Sequence, residues 1–331
     1  MAEVIPIAGR QSEQIERCRA TTASGKPCRN KAGEDGYCGV HRRTAAQPSA
    51  AEGSREDPLE DLLAFVRRRL TGEYEIDEFG FDPELTEQIL APLVRFFHEK
   101  WWRVDWIGME NVPAKGAALL VANHAGTVPW DAVVTKFGVL DHHPAHRHVR
   151  LLAADLAFTM PFIGALARKS GNTLAATEDA YRLLDQGELL GVFPEGFKGV
   201  GKPFSQRYKL QRFGRGGFIE LALRAHCPIV PVSIVGSEEI YPMIHNAKTI
   251  ARIGGFPYFP VTPFFPWLGP LGMIPLPSKW IIKFGAPIDT SDLDEDAWQD
   301  PLTVFELTDR VRDEIQQTLN RNLRQRRSVF F

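Results

Sequence analysis

From residue 58 onward the apolar positions recur in two periods, and their alternation predicts the architecture. LEDLLAFVRRRL (59–70) and PELTEQILAPLVRFFHEKWW (83–102) place apolar residues three to four apart, the second behind a capping Asp82. Short strand-like runs then interleave with helical ones. GAALLVAN (116–123) precedes a helix through DAVVTKFGVL (131–140), and HVRLLAA (148–154) precedes an apolar helix ending at Arg168. NTLA (172–175), a helix to Gln186, LLGVF (189–193), a helix near 213–225 and PIVPVSIV (228–235) continue the pattern, and 280–284 adds a late strand. Asp300-Pro301 opens a long helix whose stripe is Val304, Leu307, Val311, Ile315, Leu319 and Leu323. Alternation of this kind predicts an α/β fold, a central sheet flanked by helices, over one large domain at 58–331.

Composition changes this picture at the N-terminus. The chain is globular in bulk, 44% apolar and 24% charged, and its formal charge of −2 argues against a specific nucleic-acid partner. Its first residues lack the apolar core of a secretory signal, and no run reaches the length that spans a bilayer, so the expectation is a cytoplasmic protein, soluble or peripheral to a membrane. Residues 17–43, however, hold almost no large apolar side chain and carry Cys18, Cys28, Cys38 and His41 at C-x9-C-x9-C-x2-H spacing. Three thiolates and an imidazole make a closed tetrahedral Zn²⁺ shell, so residues 1–43 are expected to form a small module held by structural zinc. Unligated cysteines in a loose tail are the alternative. The small, polar TAAQPSAAEGSRED (44–57) then fits a flexible linker.

Candidate chemistry gathers at the predicted strand ends. Asn123-His124 closes the first strong strand, and Asp131 follows seven positions later. On one continuous helix those two would lie roughly 10 Å apart along the axis. Pro129 forbids that helix, so 125–128 should loop back and Pro129 should open the next helix with Asp131 in its first turn. A carboxylate beside His124 would fix its tautomer and raise its basicity, as a general base requires. Taken alone, the stretch also reads as a half-buried histidine near an Asp favoured by the helix dipole. GVFPEGFKG (191–199) then sets Glu195 and Gly196 on a sharp turn at another strand end. The 22 residues from Phe197 to Phe218 carry Lys198, Lys202, Arg207, Lys209, Arg212 and Arg215 with no acid, the composition of an anion site.

NH…D, then FPEG some seventy residues later, then PIVPVSIVGSEEIYP (228–242) together resemble the glycerolipid (lysophospholipid) acyltransferase family, over most of 58–331. The resemblance implies a central mixed sheet and transfer of an acyl group from acyl-CoA or an acyl-carrier protein to a hydroxyl of a glycerolipid-type acceptor such as a lysophospholipid. It implies His124 as general base and Asp131 as its orienter. Glu195 and Gly196 would bind the acceptor, 229–232 would shape the donor side, and no cofactor would serve the chemistry. Because Phe197-Lys198 follows FPEG where the family commonly has Thr-Arg, the acceptor phosphate is expected on Lys198 and its basic neighbours Lys202 and Arg207. Two other departures stand out. The family's commonest spacing has four residues between His and Asp, whereas HAGTVPWD has six. Thr177 stands where the family's second motif places a phosphate-binding arginine.

A lipid acceptor implies contact with a membrane surface, expected on its inner face. FFHEKWWRVDW (96–106) has the mixed aromatic and charged texture of an interfacial segment, and the Pro-rich FPYFPVTPFFPWLGPLGMIPLP (256–277) suits a surface or channel lining. The histidines of DHHPAHRHVR (141–150) have no ordered ligand spacing and read as a polar loop. Cys227 reads as a small core hydrophobe.

Overall fold

The computed structural model describes Cys28, Lys31 and residues 58–330. The chain divides into two compact units, Met1–Glu73 and Tyr74–Phe331. The helix Pro58–Thr71 therefore groups with the first unit, not with the domain that the composition shift at 58 suggests. Of the proposed zinc ligands only Cys28 is described, and it is buried; Cys18, Cys38 and His41 lie outside the described residues.

The second unit is built on β1 (Asp105–Ile107), β2 (Ala118–Ala122), β3 (Val149–Ala153), β4 (Thr173–Leu174), β5 (Leu189–Val192), β6 (Ile229–Val235) and β9 (Ile281–Phe284). Two short strands, β7 (His245–Asn246) and β8 (Pro260–Val261), pair apart from them. The large sheet has the order β1-β9-β6-β2-β5-β3-β4. Its pairs are parallel except β6 with β9, so the sheet is mixed.

Every residue of β2, β5 and β6 is buried, as expected for strands covered on both faces. Alternate residues sort to opposite sides. Leu119, Val121, Leu190 and Ile229 join the core with Leu183, Ile219, Val311 and Ile315, which helices Thr177–Asp185, Gly217–Arg224 and Pro301–Gln325 supply. Leu120, Ala122, Leu189 and Val230 join the other core with Val134 and Val139 of helix Trp130–His142. The final helix starts where Asp300 accepts from the amides of Leu302 and Thr303, with Pro301 in the first turn.

The aromatic 96–106 stretch is divided: His98 and Trp102 are buried, whereas Phe96, Glu99, Lys100 and Asp105 are exposed. Trp102 is fully buried and stacks on Trp280 with ring centroids 4.7 Å apart, and Trp101 donates to the Pro275 carbonyl. Residues 105–107 form the edge strand β1. The preceding helical segment, 83–101, includes two π-turns, one ending just before Ala91-Pro92, where the proline has no N–H for the regular ladder.

Because β2, β3, β5 and β6 run in one direction, the chain leaves Ala122, Ala153, Val192 and Val235 at the same edge of the sheet. His124, the helical connection 154–172, the 193–196 turn and the 236–239 turn meet there.

Candidate active site

The six residues between His124 and Asp131 are folded into tight turns. The amide of Val128 donates to the carbonyl of Gly126 at 2.6 Å, and that of Trp130 to Val128 at 2.7 Å. Gly126 and Thr127 both take positive φ, 94° and 66°. Gly126 also has no room for a side chain, since a Cβ would fall 2.6 Å from the Ser237 carbonyl oxygen. Thr127 is held by its amide on the Val200 carbonyl and by its hydroxyl on the Tyr241 carbonyl, and Tyr258 donates its hydroxyl to the Thr127 carbonyl. The result brings His124 Nδ1 to 2.8 Å from Asp131 Oδ2.

Asp131 is fully buried in the first turn of its helix, and the same Oδ2 accepts the Ala125 amide at 2.7 Å. With Nδ1 donating to this carboxylate, Nε2 carries the imidazole lone pair. Nε2 has no hydrogen-bond partner among the described residues, and the side chain is 13% exposed. The Phe193 ring packs against it, centroids 4.6 Å apart. A second histidine–carboxylate contact, His98 Nε2 to Asp141 Oδ2 at 2.9 Å, involves the other end of the same helix. There His98 is sealed in, and burial lowers its pKa.

Glu195 lies beneath this pair. One carboxylate oxygen accepts the His124 amide at 2.9 Å and the other accepts the Gln211 amide at 2.6 Å. Burial raises its pKa, opposed by Lys202 and by those two amides. Lys202 is buried as well, its Nζ 3.0 Å from Glu238 Oε1, 3.9 Å from Glu195 Oε2 and 3.2 Å from the Lys209 carbonyl. Glu238 also accepts the Tyr208 amide at 2.8 Å, and burial pushes its carboxyl up to about 7. Both side chains are enclosed here and hold the loops around His124: Glu195 through the two amides, Lys202 through Glu238 and the Lys209 carbonyl.

Lys198 and Arg207 do remain exposed, Arg207 over the Phe204 ring, and Gly196 makes the turn at φ 54° and ψ −142°, a region almost confined to glycine. Three further residues had no role in the sequence reading. Asn123 exchanges two hydrogen bonds with the backbone of Ile234, extending the β2–β6 ladder to His124. Gly199 passes so close that a Cβ would sit 2.5 Å from the His124 carbonyl oxygen. Glu238, in the GSEE run after β6, is the missing partner of Lys202.

A family model described as Acyltransferase matches residues 103–235, which take in both motif turns. The crystal structure of the 1-acyl-sn-glycerophosphate (LPA) acyltransferase PlsC from Thermotoga maritima has the same fold, with a TM-score of 0.50 at 18% identity over 80% of this chain and 90% of that one. The chain belongs to the glycerolipid acyltransferase family. An uncharacterised protein of Mycobacterium tuberculosis is 56% identical to this acyltransferase-family chain over 295 residues, 88% of this chain and 82% of its own. A probable 1-acyl-sn-glycerol-3-phosphate acyltransferase of Mycoplasma pneumoniae is 29% identical over 171 residues, 50% of this chain and 61% of that one. Residues 15–49, which contain all four Cys/His positions, match a domain of unknown function.

Proposed function

We propose that the protein transfers a fatty acyl group from a thioester donor, acyl-CoA or an acyl-carrier protein, to a hydroxyl of a glycerolipid-type acceptor such as a lysophospholipid. The observation that carries this reading is the 2.8 Å contact of His124 Nδ1 with a buried Asp131 that leaves Nε2 unpartnered. Nε2 takes the proton of the acceptor hydroxyl as its oxygen attacks the thioester carbonyl. The tetrahedral adduct then expels the thiolate, and the imidazolium returns the proton to sulfur. Asp131 holds the tautomer and stabilises the transient positive charge. Of the basic groups assigned to the acceptor, Lys198 and Arg207 are exposed and can meet its phosphate.

The substrates are lipids, and the carboxyl edge is apolar to match. Phe162 at the tip of the 154–172 connection is 92% exposed and Trp267 is 73% exposed, with Ile253, Leu271 and Ile274 also standing out. Among the described residues no helix is long and apolar enough to cross a membrane. Peripheral docking of this edge on a bilayer fits both facts. For the N-terminal unit, a structural Zn²⁺ on Cys18, Cys28, Cys38 and His41 remains the proposal, and zinc content of the purified full chain tests it.

The main test is incubation with acyl-CoA and a panel of lysophospholipids, following thiol release and new ester, beside His124→Ala. Acceptor-dependent turnover that disappears in the variant is expected. A folded protein that binds acyl-CoA but shows no turnover with any acceptor would be a lipid-binding member of the fold.

A further inference from the structure

The loop between His124 and Asp131 satisfies its own backbone at two points and leaves one carbonyl over. The carbonyls of Gly126 and Val128 accept from amides two positions on, at 2.6 and 2.7 Å. The Thr127 carbonyl between them is left to a donor from outside the loop. Among the described residues that donor is the hydroxyl of Tyr258 alone, 131 positions away. Thr127 also holds φ 66°, a region that strains a β-branched residue and persists only where the surroundings over-determine it.

Tyr258 is itself well fixed. It lies between helix Lys248–Ile253 and β8, in the excursion that β7 and β8 close. The amide of the next residue, Phe259, donates to Asn246 Oδ1 at 3.1 Å, and its carbonyl accepts the Ala247 amide at 2.9 Å. The Tyr258 ring rests on Gly201, where a Cβ would come 3.0 Å from Cδ1. Val200, next to that glycine, accepts the Thr127 amide at 3.2 Å. One short stretch of chain thus meets both the loop residue and the tyrosine that anchors it. Burial and the nearby Asp131 carboxylate raise the pKa of the hydroxyl, which keeps its proton and stays a donor.

We propose that Tyr258 is a positioning residue for the base, which holds the His124–Asp131 loop closed through the Thr127 carbonyl and touches neither substrate. The inference rests on the acyltransferase reading above for its kinetic consequences. Glu195 and Asn123 secure the chain at and just before His124. Tyr258 secures the span that carries Asp131 back to the ring. Without the donor, Thr127 relaxes toward ordinary backbone angles, the turns open, and Nδ1 draws away from Asp131 Oδ2.

Tyr258→Phe removes the donor and keeps the ring on Gly201. Amide exchange over 123–130 is followed in the full chain by mass spectrometry, with 118–122 of β2 as internal reference. Exchange in the loop should rise about tenfold or more while the reference is unchanged. In the acyl-transfer assay kcat should fall about tenfold or more with both KM values within about twofold of wild type, since a displaced base weakens the transition state and not substrate binding. Placed on Asp131→Asn, the same substitution should lower kcat by less than about threefold, because the pair it serves is already broken. Unchanged loop exchange or unchanged kcat overturns the proposal, as does faster exchange that includes β2, the mark of general loosening. A raised acceptor KM at wild-type kcat would put the hydroxyl on the substrate, and an undiminished loss on Asp131→Asn would give it a role outside the pair; either overturns it. Faster exchange confined to the loop, in a protein with no turnover from any donor, would support the loop assignment and remove the acyltransferase reading.

Discussion

Replacing Glu195 with glutamine tests whether this carboxylate touches the acceptor or holds the loops. The exchange keeps shape and volume, so no cavity forms. It leaves one oxygen where two are needed, because the amides of His124 and Gln211 each take one carboxylate oxygen, at 2.9 and 2.6 Å. In either orientation the new NH₂ group faces a backbone N–H. A buried donor without an acceptor costs about 1–3 kcal/mol. Two effects reduce the net loss. Burial already disfavours the ionised Glu195, and removing its charge relieves repulsion with Glu238, which keeps Lys202 at 3.0 Å. The expected net destabilisation is about 1–2 kcal/mol, read as a lower urea midpoint with unchanged slope. Catalysis should suffer more, because the loop that loses its acceptor either carries the base or faces it. A displacement of about 1 Å can lower kcat about a hundredfold, with little change in the acceptor KM. Wild-type stability and kcat combined with a raised acceptor KM would refute the reasoning and return Glu195 to the acceptor.

Two other predictions follow from buried charge and exposed apolar surface. Burial raises the Glu238 carboxyl from 4.5 to about 7, so the folded state holds that proton more tightly than the unfolded chain does. Its contribution to stability is complete below pH 4.5 and is lost as pH rises through 7, a loss of about 3 kcal/mol. Wild type should therefore lose about that much more unfolding free energy than Glu238→Gln between pH 4 and 8, and a difference between them that does not vary with pH would contradict it. Phe162→Ser with Trp267→Ser removes two of the most exposed aromatic side chains at the carboxyl edge. Flotation with anionic phospholipid vesicles should drop severalfold without a change in unfolding midpoint, and undiminished flotation would place the lipid contact elsewhere.

Strands β2, β5 and β6 were legible because they are buried on both faces, which writes an unbroken apolar run into the sequence. The direction of β9 was not, since a strand carries no mark of whether its neighbour runs with or against it; only the β6 register shows the antiparallel pairing. Within 96–106 the sequence could not sort the aromatic residues, because Trp102 is covered by Trp280, nearly two hundred residues away in the chain, while Phe96 is left exposed. At the site, the positions of His124 and Glu195 were legible because each follows a strand end, and that of Asp131 because Pro129 opens the next helix. Lys202 was counted with the other cations of its run, because a charge pattern cannot show which cation turns inward. Its partner Glu238 lies 36 positions on, beyond another strand. The spacing of His124 and Asp131 is an obstacle only on one continuous helix, which Pro129 forbids. Two hydrogen bonds spanning single residues, Gly126 to Val128 and Val128 to Trp130, shorten the loop.

Under the proposed mechanism, the single carboxylate of Glu195 shared between two backbone amides bears on the rate of acyl transfer. A base carried on a free loop must find its reactive orientation in every cycle, and that search is a loss of entropy charged against the transition state. Here the His124 main chain is pinned from below by Glu195, its ring from the side by Asp131, and the preceding Asn123 by β6. The order needed at the base is thus established once, during folding, at the expense of global stability. Each turnover then has only the two substrates left to align.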